Sequence, residues 1–457
     1  MIRRFFAFLL AAICVLSQLT GCTPTDRPSS ENPVTLTIWH VYGSQTKSPF
    51  NTAIDEFNNT VGKENGITVN VVSVTSSSAI DKALAASVNG EPGAEELPDL
   101  FTAYPRVAQI VGTDRLLAWD QYFSEQELSA FKQEFLEEGY FDSQLLMLPI
   151  AKSTEALYLN KTLFADFSAQ TGVSMDQLQS YEGLFDAANI YFDWSGGKHF
   201  VQLNDFYHYA LLGTKAYGGE FIRDGKLQLD DPAFETVWKL LARTAIYGGI
   251  CLDDGYAATR WKTVEIISNI GSTADILYQP DQVIYPDNTT QTVEIISMPY
   301  PLFSEDAANA VHRGGGLFAI KSSDERINYA AAVFAKWLTE QNNNLSFVTE
   351  AGYLPVTDVA FDRLLTEPEL VQKENYRLLY KTAGAMFQEY SLCAIPVFDG
   401  ASEAQSRFEE SVKLVLRVAY SEYIDRVQSG EEPETILNDL TDASYDALKQ
   451  SFYGAGD

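Results

Sequence analysis

Cysteine, basic residues and long apolar runs are all scarce in this 457-residue chain. Four cysteines are too few for a disulfide scaffold. Lysine and arginine total 32 against 62 aspartates and glutamates, and a formal net charge of −30 argues against a nucleic-acid partner. The one long apolar run lies in the first twenty residues, which excludes a membrane channel. What remains has an ordinary globular composition and the length of several domains or one two-lobed body.

The N-terminus has the pattern of a secretion signal. Arg3 and Arg4 precede an apolar stretch at 5–16, which is too short to span a membrane stably. The stretch is followed by LTGC at 19–22, which resembles the lipobox of bacterial lipoproteins. The resemblance implies that residues 1–21 are removed as a signal peptide and that Cys22 is acylated. The alternative is a plain secretory peptide with a chance cysteine near its end.

Residues 22–33 are rich in proline, serine and threonine and show no apolar periodicity. This composition predicts a flexible tether between the lipid and a folded body. Lipid chains on Cys22 would hold the protein to the extracytoplasmic face of the cell membrane, in the periplasm if the cell has an outer membrane.

Two cysteines, Cys251 and Cys393, remain in the predicted body. An oxidising compartment would permit a bond between them, whereas two unpaired thiols are the simpler interpretation.

Strand-like and helix-like segments alternate at the start of the body. Residues 34–39 are rich in β-branched side chains, which favours a strand. Phe50, Ile54 and Phe57 recur at i, i+4 and i+7, which predicts a helix at about 50–60. Further predicted segments are strands at 67–74 and 98–102 and a helix at 76–88. This order favours a parallel sheet, whose ligands bind beyond the carboxyl ends of the strands, here the loops at 40–45, 75–78 and 103–106.

Several stretches resemble one family of proteins. They are TLTIWHVYGSQ at 35–45, LPIAKSTEALYLNKTLF at 148–164 and the long Gly-rich strand and helix segment at 314–356. In order and spacing, over about residues 34–450, the chain resembles the extracellular solute-binding proteins of family 1, the maltose-binding-protein-like receptors of ABC importers.

The resemblance implies an α/β fold of two lobes with solute bound in the cleft between them. Each lobe is expected to hold a mostly parallel sheet flanked by helices. The first lobe would comprise 34–149 plus 302–356, and the second 150–301 plus 357–457. The chain would cross between the lobes near 147–149, 298–301 and 354–355, where proline favours extended links.

A sugar needs flat apolar faces and polar groups for its hydroxyls, and this requirement selects candidate residues. His40, Tyr42 and Ser44 lie in the first strand-to-helix loop, where the first two could instead only pack the loop. Ser153 and Thr154 match the family's small polar pair, although local turn bonding explains them equally well.

Aromatic candidates come from the second predicted lobe. Trp194 stands in a polar, Gly-rich stretch, where a core indole would be unusual, and is a candidate stacking platform. Tyr207, Trp261 and Tyr278 are further candidates of the same kind, and Tyr353 belongs to the GYLP ending of the family-like segment.

Backbone and cationic candidates complete the predicted site. Gly314 and Gly315 would let backbone amides approach a ligand. Arg313 and Arg407 could each fix an anion, and a phosphorylated or carboxylated solute would follow if both lined the cleft. Surface salt bridges are the commoner fate of arginine in so acidic a chain.

Patterns typical of enzymes are missing. The four histidines lack metal-ligand spacing, and no HExxH, CxxC or GxSxG sequence occurs. We therefore expect no metal, no cofactor and no catalysis, although two carboxylates of a glycosidase could escape detection by sequence.

The sequence as a whole predicts a lipid-anchored, monomeric receptor. It would capture a small solute, a sugar or oligosaccharide before a polyol or sugar phosphate, and deliver it to ABC permease subunits. A surface sensor or adhesin on the same fold is the alternative function, followed by a secreted glycosidase.

Overall fold

A computed structural model describes residues 27–42, 48–73, 77–398 and 400–454. The predicted signal peptide, the predicted lipidation site Cys22 and the candidate Ser44 lie outside these ranges. Within them, no helix combines the length and apolar character needed to cross a membrane.

The strands are numbered in chain order. They are β1 (Val34–His40), β2 (Ile67–Ser73), β3 (Leu100–Ala103), β4 (Tyr140–Phe141), β5 (Gln144–Leu145), β6 (Leu148–Pro149), β7 (Ser153–Asn160), β8 (Val201–Leu203), β9 (Ile222–Arg223), β10 (Lys226–Leu227), β11 (Ser268–Ser272), β12 (Gln282–Ile284), β13 (Thr290–Thr292), β14 (Ile295–Met298), β15 (Asn309–Arg313), β16 (Gly316–Ala319) and β17 (Ser391–Cys393).

The α-helices are numbered in the same way. They are α1 (Pro49–Asn59), α2 (Val61–Asn65), α3 (Ser77–Asn89), α4 (Val107–Val111), α5 (Glu125–Leu128), α6 (Gln133–Glu137), α7 (Lys161–Thr171), α8 (Tyr181–Ser195), α9 (Phe206–Ala216), α10 (Pro232–Tyr247), α11 (Ala257–Lys262), α12 (Glu325–Thr339), α13 (Gln341–Ala351), α14 (Asp358–Thr366), α15 (Glu374–Glu389), α16 (Ala401–Gln428) and α17 (Pro433–Gly454).

The first lobe is built on a five-stranded sheet in the order β2-β1-β3-β16-β6. β1, β2 and β3 run parallel, as the β-α-β-α-β pattern predicts, and β16 lies antiparallel between β3 and β6. The predicted stripe of α1 is confirmed, because Phe50, Ile54 and Phe57 are buried in the core of this lobe. Ser48 accepts the Asn51 N–H and Pro49 opens the helix, so local capping fixes where α1 begins.

The second lobe has a six-stranded sheet in the order β17-β15-β7-β11-β8, with β14 also paired to β7. All eight residues of β7 are buried, so this strand forms the centre of the lobe. β11, β14 and β15 all run antiparallel to β7. The sheet is therefore mixed rather than mostly parallel, because these three strands oppose β7 while β8 runs parallel to β11 and β17 parallel to β15.

The second crossing between the lobes comes later than the sequence predicts. Residues 309–313 pair with β7 and β17 and so remain in the second sheet. The chain then passes to β16 of the first sheet through Gly314 and Gly315. The other crossings lie at 150–152, between β6 and β7, and at 352–357, where Lys152 and Leu354 exchange both backbone hydrogen bonds at 3.0 and 2.6 Å.

The two C-terminal helices pack on the second lobe. Their buried faces are Phe408, Val412, Val415 and Ala419 on α16 and Ile436, Leu437 and Leu440 on α17. The Trp238 indole of α10 donates to the Ser444 hydroxyl of α17 at 3.2 Å, which fixes the register of the two helices. Cys251 and Cys393 are both free thiols, in line with the simpler interpretation.

Candidate functional site

A cavity of about 390 Å³ opens between the two lobes. This volume lies within the range of small-molecule sites in proteins, roughly 300–1,000 Å³. Its wall draws on both lobes and is formed by Val41, Tyr42, Thr102, Ala103, Tyr104, Ser153, Tyr256, Ser272, Ala274, Asp275, Tyr278, Arg313, Gly314, Gly315 and Tyr353. The first-lobe contribution follows the carboxyl ends of β1 and β3, where an open α/β sheet places its ligands.

Five tyrosines dominate the cavity wall. On the first lobe, Tyr42 and Tyr353 pack edge to face with ring centroids 5.4 Å apart. Burial raises the pKa of Tyr42, and the nearby Tyr104 adds to the rise. On the second lobe, Tyr256 is 84% exposed and Tyr278 is 48% exposed. The cleft therefore has fixed rings on one side and accessible ring faces on the other, an arrangement suited to stacking against a ligand.

A short 3₁₀ helix at Thr273–Tyr278 presents the polar wall of the second lobe. It starts where β11 ends, and the Ser272 hydroxyl caps it by accepting the Ala274 N–H at 3.2 Å. Asp275 and Tyr278 are three residues apart, so they share one face of the 3₁₀ turn. The end of one strand thus brings a carboxylate and an aromatic ring to the same wall.

Arg313, the last residue of β15, reaches the cavity from a buried charge network. Its Nη1 donates to Glu155 Oε1 at 2.6 Å, and His208 Nδ1 lies 2.9 Å from the same oxygen. Burial opposes ionisation of Glu155, but His208 and Arg313 together hold the pKa of this carboxyl below its ordinary value. Asp205, the N-cap of α9, lies 3.3 Å from His208 Nδ1 and extends the network.

Glu155, Asp205 and His208 also have the spacing of a metal site, since their ligand atoms lie within 4.8 Å of one another. The guanidinium of Arg313 is already bonded to Glu155. A divalent cation would have to displace or tolerate that fixed positive charge. The trio is therefore better described as part of an ion-pair network than as a metal centre.

A second buried network joins the three crossing segments. Lys152 is fully buried, and its ammonium bonds to Glu138 and donates to the Gly314 carbonyl at 3.3 Å. His312 Nδ1 lies 2.9 Å from the other oxygen of Glu138. Burial alone would raise the pKa of Glu138, yet His312 and Lys152 hold it below the ordinary value. One lysine thus links Glu138 of the first lobe, the Gly314 crossing and, through its backbone, Leu354.

Two glycines let the second crossing pass close to the first sheet. Gly314 has φ +122°, a conformation that side chains disfavour. A Cβ on Gly315 would lie 2.4 Å from the Ala103 carbonyl oxygen. Because these two residues have no side chains, the two backbones can approach each other closely beside the cavity.

The predicted candidates that line the cavity come from both lobes. They are Tyr42, Ser153, Tyr278, Arg313, Gly314, Gly315 and Tyr353. His40 and Thr154 lie behind this wall. The His40 Nδ1 accepts the Tyr42 N–H at 3.0 Å, and burial lowers the pKa of this imidazole to about 4, so it is a neutral support of the loop. Thr154 donates to the Val311 carbonyl at 2.8 Å and ties β7 to β15.

Two aromatic candidates are core residues instead. Trp261 is fully buried and its indole donates to Asn269 Oδ1 at 3.0 Å. Tyr207 is buried between Phe221 and Phe408, with centroid distances of 5.4 and 6.2 Å. Both predictions were wrong because aromatic composition alone does not reveal whether a helix face turns inward.

Trp194 lies away from the cavity. It belongs to the last turn of α8, where its indole donates to Gln170 at 3.2 Å and its ring packs on Phe167. Gly196, in the left-handed conformation, ends the helix after this turn. The glycines that suggested a binding loop are thus a helix C-cap.

Arg407 also lies outside the cleft. It donates to the carbonyl of Phe452 and stands 4.9 Å over that ring, so it joins α16 to α17. Arg313 and Arg407 do not converge, so the condition under which both would fix an anionic solute is not met.

Sequence analysis missed three wall residues with useful chemistry, Tyr104, Tyr256 and Asp275. Tyr104 lies inside the loop at 103–106 that was predicted to face ligand, so its position was a usable signal. Asp275 stands three residues before the candidate Tyr278, but only the 3₁₀ turn reveals their shared face. Tyr256 follows an acidic turn and carries no sequence signal.

Glu409 should make the stability of the second lobe depend on pH. It accepts the Tyr207 N–H at 2.7 Å, and burial, with the charge of Asp205, raises its pKa to about 8. Between pH 4.5 and 8 the native carboxyl keeps a proton that the unfolded chain loses, so this group makes stability fall as the pH rises. Glu409→Gln keeps an acceptor for Tyr207 and removes the titration.

We expect Glu409→Gln to match the unmutated protein near pH 4.5 and to exceed its stability by on the order of 1–2 kcal/mol above pH 8. Urea unfolding at both pH values measures the difference. A difference that does not change with pH would show that Glu409 titrates normally.

Comparison with known proteins agrees with the fold described above. The model of the family described as bacterial extracellular solute-binding protein matches residues 52–376. Comparison with curated protein sequences gave no match.

Solved structures share the fold over nearly the whole chain. A cyclic α-maltosyl-1,6-maltose binding protein from Arthrobacter globiformis is 18% identical, with a TM-score of 0.63, covering 92% of this chain and all of its own. UgpB from Mycobacterium tuberculosis, solved with glycerophosphocholine, is 17% identical, with a TM-score of 0.68, covering 91% and 99%. An ABC substrate-binding protein from Listeria monocytogenes, solved with cycloalternan, is 13% identical, with a TM-score of 0.66, covering 92% and 99%.

Proposed function

Because the chain belongs to the bacterial extracellular solute-binding protein family, we propose that it captures a sugar or oligosaccharide in the cleft and delivers it to an ABC permease. The observation that carries the proposal is the cavity between the lobes, walled by five tyrosines and by polar groups from both sides. Aromatic faces can stack on the CH surfaces of a sugar, while Ser153, Asp275 and Arg313 can bond its hydroxyls.

The relatives' ligands support this class of solute. The Arthrobacter and Listeria proteins are named for, or solved with, cyclic oligosaccharides, and UgpB was solved with a glycerophosphodiester. Arg313 is bonded to Glu155, which disfavours a phosphate in this cleft.

The protein acts outside the cytoplasmic membrane, as membership of an extracellular family implies. We propose that it is a monomer anchored through lipid on Cys22, with residues 22–33 as a tether. Labelling with a radioactive fatty acid tests the anchor, which should be lost in Cys22→Ser.

We also propose that the protein binds its solute without converting it. The test is calorimetric titration with a panel of oligosaccharides, followed by chromatography of the recovered sugar. Binding with intact recovery is expected. Release of shorter sugars would show a glycosidase, and the absence of binding across the panel would favour the sensor or adhesin.

The two exposed tyrosines of the cavity should contribute directly to affinity. We expect Tyr256→Ala and Tyr278→Ala each to raise the Kd for the bound oligosaccharide about tenfold, because each removes an accessible stacking face. Stability should change little in Tyr256→Ala, since that ring is 84% exposed.

Tyr217→Ala is the matched control, because Tyr217 is 41% exposed on the same lobe and donates to the Phe303 carbonyl away from the cavity. Its Kd should remain that of the unmutated protein. If all three variants keep the Kd of the unmutated protein, the solute does not bind in this cavity.

A further inference from the structure

The cavity wall has few charged side chains, and they differ in how completely other groups of the protein pair with them. Asp275 and Arg313 are the charged side chains among the wall residues that the structure describes. Each could contact a solute, so the sign of charge that the site accepts depends on how far each is already neutralised within the protein.

Of the two, Arg313 is the one already paired with an opposite charge of the protein. Its guanidinium bonds to Glu155 at 2.6 Å, in a network that also holds Asp205. Glu155 is 2% exposed, so this ion pair is shielded from water and strong. An anionic solute would have to compete with a carboxylate already fixed in place, and Asp205 adds further negative charge behind it.

Asp275 lacks an equivalent partner. Its Oδ2 accepts from the Asn204 amide at 2.8 Å, and no lysine, arginine or histidine nitrogen lies within 4.0 Å among the residues that the structure describes. The carboxylate also lies against Gly271, where a Cβ would stand 2.2 Å from Oδ2. Burial raises the pKa of Asp275 to about 6, and the negative charge of Glu155 contributes to the rise. The positive charge of Arg313 opposes it.

The surroundings of Asp275 favour a positive charge. Tyr42, Tyr104, Tyr278 and Tyr353 line the same cavity wall as Asp275, so the carboxylate faces a site rich in aromatic rings. Tyrosine faces attract cations, and the attraction grows when the cation is removed from water. A cation in the cleft would pair with a carboxylate that has no direct ion-pair partner among the described residues.

We propose that the solute carries a positively charged nitrogen, as in an amino sugar or a quaternary ammonium compound, and that this nitrogen binds against Asp275 among the cavity tyrosines. The inference rests on the proposed capture of a solute in this cleft. It makes Asp275 a specificity-determining residue that selects for cationic solutes.

The test is calorimetric titration of the purified protein at about pH 6.5 with four probes. Chitotriose carries amines, and its triacetylated form has the same sugar backbone without the charge. Maltotriose is a neutral sugar, and choline is a quaternary ammonium compound without a sugar. We expect the tighter of the two cationic probes to bind at least about tenfold more tightly than both neutral sugars. Tight binding of chitotriose alone would indicate an amino sugar, and tight binding of choline would indicate that the ammonium group suffices.

Two variants make the test specific. Asp275→Asn should lose at least about tenfold in affinity for the cationic probe while remaining folded, because it removes a buried charge and leaves an acceptor for Asn204. Asp281→Asn makes the same charge change at an exposed position outside the cavity wall and should bind normally. Thermal unfolding of both variants reports whether they fold.

Two results would overturn the inference and leave the proposed function standing. One is a neutral trisaccharide that binds as tightly as the tightest cationic probe. The other is an Asp275→Asn variant with unchanged affinity for that probe. If none of the four probes binds, the inference fails and the proposed capture of sugars is contradicted with it.

Discussion

Replacing Arg313 with methionine is expected to lower the free energy of unfolding by about 3–5 kcal/mol. The substitution removes the positive partner of Glu155, which is 2% exposed and also lies near Asp205. Glu155 then keeps only His208 beside it, and a buried carboxylate that loses its arginine costs more than the pair gains, which explains the size of the effect. Urea unfolding at neutral pH measures the loss.

A double-mutant cycle separates this effect from lost packing. Glu155→Gln combined with Arg313→Met should recover much of the stability, because no buried charge then lacks its partner. The single Arg313→Met variant should also bind solute more weakly, since Arg313 lines the cavity. A loss below about 1 kcal/mol would mean that water reaches Glu155 and that the network is a surface feature.

Lys152→Met should have an effect of the same size, about 3–5 kcal/mol, because it also removes the positive partner of a buried carboxylate. Methionine retains the apolar stem but not the ammonium that bonds to Glu138 and the Gly314 carbonyl. Glu138 would then keep only His312 beside it. Thermal unfolding and urea unfolding should both register the loss.

Lys161→Met is the matched control, since Lys161 pairs with Glu294 at 2.9 Å with both side chains largely exposed. Its cost should lie between 0 and about 1 kcal/mol. Equal losses in the two lysine variants would contradict the assignment of Lys152 as the buried link of the crossings.

The position of Lys152 also bears on motion between the lobes. All three crossing segments meet around it, so any change in lobe angle must occur where these few residues are fixed together. Hinge residues are a few positions that absorb backbone rotation, and Gly314, with φ +122°, is the obvious place for it.

Much of the fold could be predicted because its signals are local. The β-branched run of β1, the stripe at Phe50, Ile54 and Phe57 and the apolar faces of α16 and α17 each follow from the period of one element. The α/β class and the two lobes are confirmed as well. The later crossing was missed because strand pairing of 309–313 with β7 is a long-range choice that local pattern does not encode.

The site could be predicted only in part. Tyr42, Ser153 and Tyr353 stand in segments with a recognisable family pattern, and they line the cavity. Trp194 and Arg407 had suitable chemistry but face other helices. In a cleft made by two lobes, a residue belongs to the site through tertiary packing, and residue type alone does not determine it.

Hydrogen exchange with and without a bound oligosaccharide tests the central claim most directly. Solute held between the lobes should slow exchange of backbone amides on both walls, at 102–104 and 353 in the first lobe and at 272–278 and 313 in the second. Amides in α16 and α17, remote from the cavity, should be unaffected. Protection on both walls is the predicted result, and protection confined to one lobe or to the outer helices would contradict solute capture in this cleft.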